Sequence, residues 1–262
     1  RDILKTLELY SDQNGFNNAA ALLADTNSFK GIDIIRFGNS INEIMERKSL
    51  ENISILLQME QCIQMFHQYY RYEKIEGMDR KSVDKIPERA FREAVANALV
   101  HRMWDIPASI KISMYSDKIE ISSPGGLPAG ISEDEYLNGQ ISLLRNPIIG
   151  NVFFRLKYIE KFGTGIMRIN YAYKDALIKP DYHIFSNSIQ IILPVIKSDY
   201  KLNETEKKLL NILKINGSMT RNEIEKAAEI DKSKAIRGLN RLIEKKMIQK
   251  RDLGRGTKYE IV

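Results

Sequence analysis

Residues 87–104 read PERAFREAVANALVHRMW, and this stretch decides how most of the chain folds. Pro87 stands where a helix starts, because its missing N–H costs nothing there. A helix from about Glu88 puts Glu93, Asn97 and His101 at successive steps of four, within about 80° of arc. Phe91, Val95, Ala98 and Leu99 then fall on the opposite side. A carboxylate and a carboxamide four apart can share one cation or one water. Glu93 is thereby placed as a general base, and the Asn97 side-chain oxygen is a hard ligand suited to magnesium. Taken alone, such a pair is more often a solvated helix face.

The flanking sequence gives the pair a context. Ser109 to Tyr115 and Lys118 to Ser122 alternate apolar and polar residues around Ser116 and Asp117, a β-hairpin pattern that ends in Pro124, Gly125, Gly126, Leu127 and Pro128. From there to Phe162 the pattern is irregular, with Asn138, Gly139, Asn146, Pro147 and Gly150. Gly163, Thr164 and Gly165 then open an amphipathic helix carrying Ile166, Ile169 and Ala172. Glycines at a helix start expose backbone amides at the positive end of the helix dipole, which is a ready phosphate site. Tight packing is the plainer use of the same glycines.

This order of acidic and amide helix, hairpin, glycine turn, variable segment, glycine-led helix and strand resembles the Bergerat fold of the gyrase, Hsp90, histidine kinase and MutL ATPases. Glu93 to Arg102, the turn Ser123 to Pro128, Arg145-Asn146-Pro147 and Gly163 to Ile166 resemble one branch more closely. That branch is the C-terminal ATPase-like domain of RecG-related proteins, which carry the names of ATP-dependent DNA helicases or transcriptional regulators. The resemblance covers roughly residues 1 to 198 and implies ATP and magnesium. Glu93 would polarise water, Asn97 would hold magnesium, and Gly163, Thr164 and Gly165 would cradle phosphates. Ser123, Gly125 and Gly126 would form the base-side turn, and His101, Arg102, Arg145 and Asn146 belong to the branch's own motifs. Arg145 could approach a phosphate, whereas Arg102 could equally make a structural ion pair. Ser123-Pro124 stands where ATPases of the wider fold carry the Asp that binds the adenine amino group, which weakens adenine selectivity. The implied activity is ATP hydrolysis. Strand unwinding by a phosphate-loop motor is excluded, because no Gly, four residues, Gly-Lys-Ser/Thr occurs.

The excess positive charge lies elsewhere. Residues 199–262 hold 16 Lys and Arg against 10 Asp and Glu, whereas the remainder balances at 24 against 24. Asn203 with Glu206, and Thr220 with Glu223, are capping boxes, and Asp231 or Ser233 caps a third helix. The first of these helices carries Leu209, Leu210, Ile212 and Leu213 and ends at Gly217; the third buries Ile236, Leu239, Leu242 and Ile243. The third helix turns Lys234, Arg237, Asn240, Arg241 and Lys245 outward, residue types that meet phosphates and base edges in a major groove. After Met247 the period changes to two, with Gly254, Arg255 and Gly256 as a turn before Thr257, Tyr259 and Ile261. Three helices and a basic-tipped hairpin resemble the winged helix-turn-helix family, which implies duplex DNA as partner. Lys234, Arg237 and Arg241 would read it, Arg255 would be the wing contact, and Lys232 and Lys258 extend the basic set. A small solvated helical domain, or one that mediates protein contacts, is the alternative.

The fold class expected is therefore α+β: residues 1–80 as an extension, 81–198 as a Bergerat ATPase-like α/β sandwich, and 199–262 as a winged helix-turn-helix domain. Within the extension, residues 2–10 and 17–24 read as short helices and 31–37 as a strand. Residues 50–72 read as a long helix burying Ile53, Leu56, Leu57, Ile63 and Phe66, of about 34 Å. That helix packs on the sheet or, alternatively, makes a homodimer surface. The chain opens on Arg1 rather than Met and reads as a fragment or processed product; in the resembling family a Schlafen-like AlbA domain often lies upstream. Cys62 is the single cysteine, so no internal disulfide forms, and on an apolar helix face it reads as a small buried hydrophobe. His67 and His183 lack metal-ligand spacing. Apolar runs such as Ala19 to Ala24 fall far short of the roughly 20 residues a bilayer needs, and no secretion signal opens the chain, so the location expected is cytoplasmic. The leading functional expectation is a DNA-binding transcriptional regulator whose ATPase-like domain senses nucleotide, with residues 126–162 as a closing lid. The alternatives are a nucleotide-free scaffold carrying a DNA- or protein-binding winged helix, and an active ATPase in DNA transactions.

Overall fold

The computed structural model describes residues 1–139, 143–160, 163–176, 178–196, 202–245, 247–252 and 257–261. The chain divides into two compact units, Arg1–Ile196 and Lys197–Val262. Among the described residues no helix is long and apolar enough to cross a membrane.

The first unit begins with α1 (Asp2–Thr6), β1 (Tyr10–Ser11), β2 (Gly15–Phe16) and α2 (Asn18–Leu23). It continues through β3 (Ile32–Phe37), β4 (Ile44–Leu50), α3 (Ile55–Tyr70), β5 (Arg71–Glu76), β6 (Asp79–Asp84) and α4 (Glu88–His101). Then come β7 (Ile110–Met114), β8 (Lys118–Pro124), α5 (Glu133–Leu137), α6 (Pro147–Arg155), α7 (Gly165–Ala172), β9 (Asp181–Phe185) and β10 (Ser188–Pro194). Six strands form one sheet in the order β4-β3-β7-β8-β10-β9. β3 and β7 run parallel and the other pairs antiparallel. Strands alternate inward and outward residues, so Ile32, Ile34, Ile110, Ile112, Ile119, Ile121, Ile191 and Leu193 build one buried face. Phe91, Val95 and Leu99 of α4 and Phe66 of α3 join the same core, with the Phe66 and Phe91 rings stacked at 4.6 Å.

Two elements of this sheet come from the first eighty residues, and they correct the helix expected over 50–72. Leu50 closes β4 and is buried, and the helix starts only at Ile55, where the Ser54 hydroxyl accepts from the Leu56 amide. Phe66 is fully buried with Ile55, Met59 and Cys62, whereas Ile53, Leu56 and Ile63 pack on the core only partly covered and Leu57 is 40% exposed. At 16 residues the helix spans about 24 Å. The β5–β6 hairpin follows directly and is tied down by Arg71, which donates to Asp84 at 2.7 Å and to Glu88 at 2.6 Å. His67 pairs with the same Glu88 at 3.2 Å.

The second unit contains α8 (Glu204–Asn216), β11 (Met219–Thr220), α9 (Arg221–Ala228), α10 (Lys232–Glu244), β12 (Ile248–Asp252) and β13 (Thr257–Ile261). Both capping boxes form, at Asn203 with Glu206 and at Thr220 with Glu223, and Asp231 caps α10 by accepting from the Lys234 amide at 2.9 Å. Gly217 ends α8 at φ +71°, a conformation that favours glycine. β11 adds a third strand to the hairpin, in the order β11-β13-β12. Leu209, Leu210, Leu213, Ile224, Ala235, Leu239 and Leu242 are the core, whereas Ile212, Ile236 and Ile243 are only partly covered. Gly238 lets α10 press on α8, since a Cβ there would stand 2.5 Å from Leu209 Cδ1.

Candidate functional site

α4 buries one face on the sheet and turns Glu93 and Asn97 toward α7. Pro87 caps α4 and Gly165 is the first residue of α7. A side chain at 165 would put its Cβ 2.6 Å from Asn97 Nδ2 and 2.9 Å from Glu93 Oε1. The glycine is therefore required by a close approach, and the helix start meets the carboxylate and the carboxamide at one place. Gly163, at φ +65°, makes the turn that delivers it. The Thr164 hydroxyl beside it is buried with no hydrogen-bond partner among the described residues.

Glu93 is 6% exposed, and no hydrogen bond or ion pair ties its carboxylate among the described residues. Burial pushes its pKa up, Arg168 and Arg89 pull it down, and Glu160 adds to the rise, for a net increase. Arg168 has no signal in the sequence pattern, although it lies three residues past Gly165 on the face of α7 that returns to Glu93. It also pairs with Glu160 at 3.6 Å.

The remaining residues of the expected nucleotide site are engaged within the protein. The Ser123 hydroxyl, 9% exposed, donates to the Ala98 carbonyl at 2.9 Å. Gly125, at φ +104°, lies against Arg145 and Met103, and a Cβ on Gly126 would stand 2.3 Å from the Ser186 carbonyl oxygen. Arg145 donates to the His101 carbonyl at 2.9 Å and the Gly126 carbonyl at 2.7 Å. Asn146 donates to the Val100 and Arg102 carbonyls, both at 2.8 Å. Three of these four carbonyls, those of Val100, His101 and Arg102, lie at the end of α4, where carbonyls lack helical partners, so Arg145 and Asn146 hold that end in place. Arg102 is 1% exposed and donates to the carbonyls of Lys30, Gly31 and Ala108, and among the described residues it makes no ion pair of the kind expected. Burial and the adjacent Arg145 pull His101 down to about 4, so its imidazole is neutral at pH 7 and offers no charge to an anion.

The donor set fits the phosphate end of a magnesium nucleotide better than its base end. Glu93, Asn97 and Gly165 meet at one place, and next to Gly165 lies the Thr164 hydroxyl, which has no partner among the described residues. The base-side turn has its one hydroxyl bonded inward and its glycines packed against the chain itself.

A second site lies on α10. Lys232, Lys234, Arg237, Asn240 and Arg241 are all exposed, while Ala235, Gly238, Leu239 and Leu242 face inward. Lys245 departs from expectation: its Nζ pairs at 2.8 Å with Glu206, which is 1% exposed. It is a structural cation joining the end of α10 to the cap of α8. Lys258 lies in β13, opposite Thr220 and Arg251, and Arg255 falls outside the described residues.

With this geometry in place, residues 108–193 match the family model described as "Putative ATP-dependent DNA helicase recG C-terminal", and residues 196–262 match "Sugar-specific transcriptional regulator TrmB". The first match begins after α4, so Glu93 and Asn97 lie outside it. No curated protein matches the chain. Among solved structures, the DIP2311 protein from Corynebacterium diphtheriae is similar at 19% identity and a TM-score of 0.66. The match covers 100% of this chain but only 57% of that protein, and identity this low shows a shared fold alone.

Proposed function

We propose that this chain, which joins a RecG C-terminal-like ATPase-like unit to a TrmB-type winged helix, is a DNA-binding transcriptional regulator. The outward face of α10 carries the proposal: four cations and one carboxamide on consecutive turns, all exposed, over an apolar floor. A helix of this kind presents Arg and Asn to base edges and Lys to phosphates. Lys258 is a candidate backbone contact, and Lys245 is excluded because its charge is used internally. Selecting duplexes from a random library with the purified chain tests it. Enrichment of a defined motif, lost in Arg237→Ala/Arg241→Ala, supports a regulator; recovery of no duplex sinks the reading. Dimerisation, which would set the spacing of two half-sites, belongs to the same proposal, and sedimentation of the chain alone and with duplex checks it.

The ATPase-like unit is proposed to hold the phosphates of a magnesium nucleotide beside the point where the start of α7 meets the Glu93–Asn97 pair. Bound there, the metal would supply a positive charge that Asn97 orients. The buried Glu93, with its raised pKa, would hold a proton or a water at its Oε1. A second reading, a unit that keeps the fold and holds no nucleotide, is favoured by the packed turn at Gly125 and Gly126. Titration calorimetry with magnesium-ATP separates the two: saturable heat that disappears in Asn97→Ala supports the nucleotide site, and absence of heat at millimolar ATP supports the scaffold.

A further inference from the structure

A cavity of about 460 Å³ opens beside the C-terminal end of α4, within the size range of small-molecule sites. Neither Glu93, Asn97 nor any of the glycines of α7 lines it. Its apolar wall comes from Ala19 and Leu22 of α2, Phe29, and Ile148 of α6. Trp104, which also lines it, meets Phe29 edge-on at 5.9 Å and carries the Arg102 guanidinium 4.3 Å from its ring.

Arg102 is the unusual member. It is a buried cation bonded only to backbone carbonyls, with no carboxylate paired to it among the described residues. A buried charge without a counter-charge is costly. Desolvation pulls Arg102 down to about 10, and no acidic group opposes that fall, although the side chain stays charged at pH 7. Two N–H groups on the cavity residues, Arg102 Nε and Trp104 Nε1, have no acceptor among the described residues. Buried donors are rarely left so. Arg145 adds a second guanidinium, and Asp105 is the one acidic residue in the lining among the described residues.

We propose that this cavity binds a small organic monocarboxylate with a compact apolar or aromatic body. The body lies against Leu22, Phe29 and Ile148. The carboxylate accepts from Trp104 Nε1 and Arg102 Nε and neutralises the buried guanidinium. Asp105 disfavours a second anionic group on the ligand, which selects a monocarboxylate over a dicarboxylate. Both nitrogens are buried, so the carboxylate reaches them with a shift of the Trp104 ring. The proposal is independent of the nucleotide and DNA readings.

Trp104 is the only tryptophan, so its fluorescence reports on the cavity in the intact chain. Titration with benzoate, its neutral isostere benzamide and the dicarboxylate phthalate is the test. The expected result is a saturable change with benzoate and binding at least about tenfold weaker for benzamide, the loss expected for one charged hydrogen bond. Phthalate should bind more weakly than benzoate, and Ala19→Phe, which fills the cavity, should abolish the response. No saturable change with benzoate, equal binding of benzamide, or a response that survives Ala19→Phe in a protein of unchanged melting temperature would each overturn the proposal. If Ala19→Phe does not fold, the comparison of benzoate with benzamide on the unmodified chain decides alone.

Discussion

Replacing Lys245 by Met tests whether this cation serves the fold or the nucleic acid. Glu206 is 1% exposed, its side chain accepts from the Asn203 amide at 2.9 Å, and Lys245 Nζ lies 2.8 Å from the same oxygen. Removing one partner of a buried pair costs about 3–5 kcal/mol, because the remaining charge stays buried and unpaired. The Lys245 side chain is 21% exposed and Glu206 keeps its amide bond, so the lower end, about 3 kcal/mol, is expected. A unit of this size has about 3–10 kcal/mol of stability in total, and each kcal/mol moves its melting temperature by about 4–8 °C. Lys245→Met should therefore lower the melting transition of the second unit by about 12–24 °C at neutral pH. Far-UV circular dichroism follows that transition, while Trp104, which lies in the first unit, reports on the other by fluorescence and should be unaffected.

The effect carries a pH signature. Burial alone would raise the Glu206 pKa, but the Lys245 ammonium and the Asn203 amide outweigh it and hold the carboxylate below its ordinary range. A depressed folded pKa gives stability that is present above the ordinary carboxylate value and lost as pH falls through the folded one. Wild type and Lys245→Met should converge in acid. Adding Glu206→Gln should restore much of the loss at neutral pH. A Lys245→Met chain that melts like wild type at pH 7 would refute the assignment and return Lys245 to the candidates for DNA contact.

Two further outcomes follow from individual side chains. Glu93→Gln should stabilise the first unit at neutral pH, since the raised folded pKa of Glu93 means its ionised form is penalised on folding. That gain should shrink to nothing as pH falls below the ordinary carboxylate value, and a pH-independent difference in melting temperature would contradict it. Gly238→Ala should cost the second unit about 1–3 kcal/mol by pushing α10 off Leu209, although alanine favours helix; unchanged stability would mean that the 2.5 Å approach relaxes freely.

Much of this architecture is legible in the sequence because its signals are local. The capping residues Asn203, Thr220 and Asp231 and the turn at Gly217 act within one helical turn, and all four form as expected. The stripe of Glu93 and Asn97 is equally readable, as periodicity alone places them together. β4 is hidden because an edge strand buries little: Ile44, Met45, Glu46, Arg47 and Lys48 show no apolar alternation, and only Leu50 is fully buried. The start of α3 is misjudged for the same reason, since it depends on where that strand ends. α6 is invisible to periodicity because Ile148, Ile149, Val152, Phe153 and Phe154 are apolar on nearly every side. Long-range partners are the least readable. Nothing local in Arg102, Arg145 or Lys245 tells whether a cation faces solvent, a carbonyl or a buried carboxylate 39 residues away.

The salt dependence of duplex binding by the purified chain tests the central claim most directly. Log affinity should fall linearly with log salt concentration. In Arg237→Ala/Arg241→Ala the slope should be shallower by up to about 1.8, or about 0.9 for each phosphate that is no longer neutralised, while the melting temperature stays that of wild type because both side chains are exposed. No duplex binding at low salt, or a double variant with both the slope and the affinity of wild type, would contradict a DNA-reading role for α10.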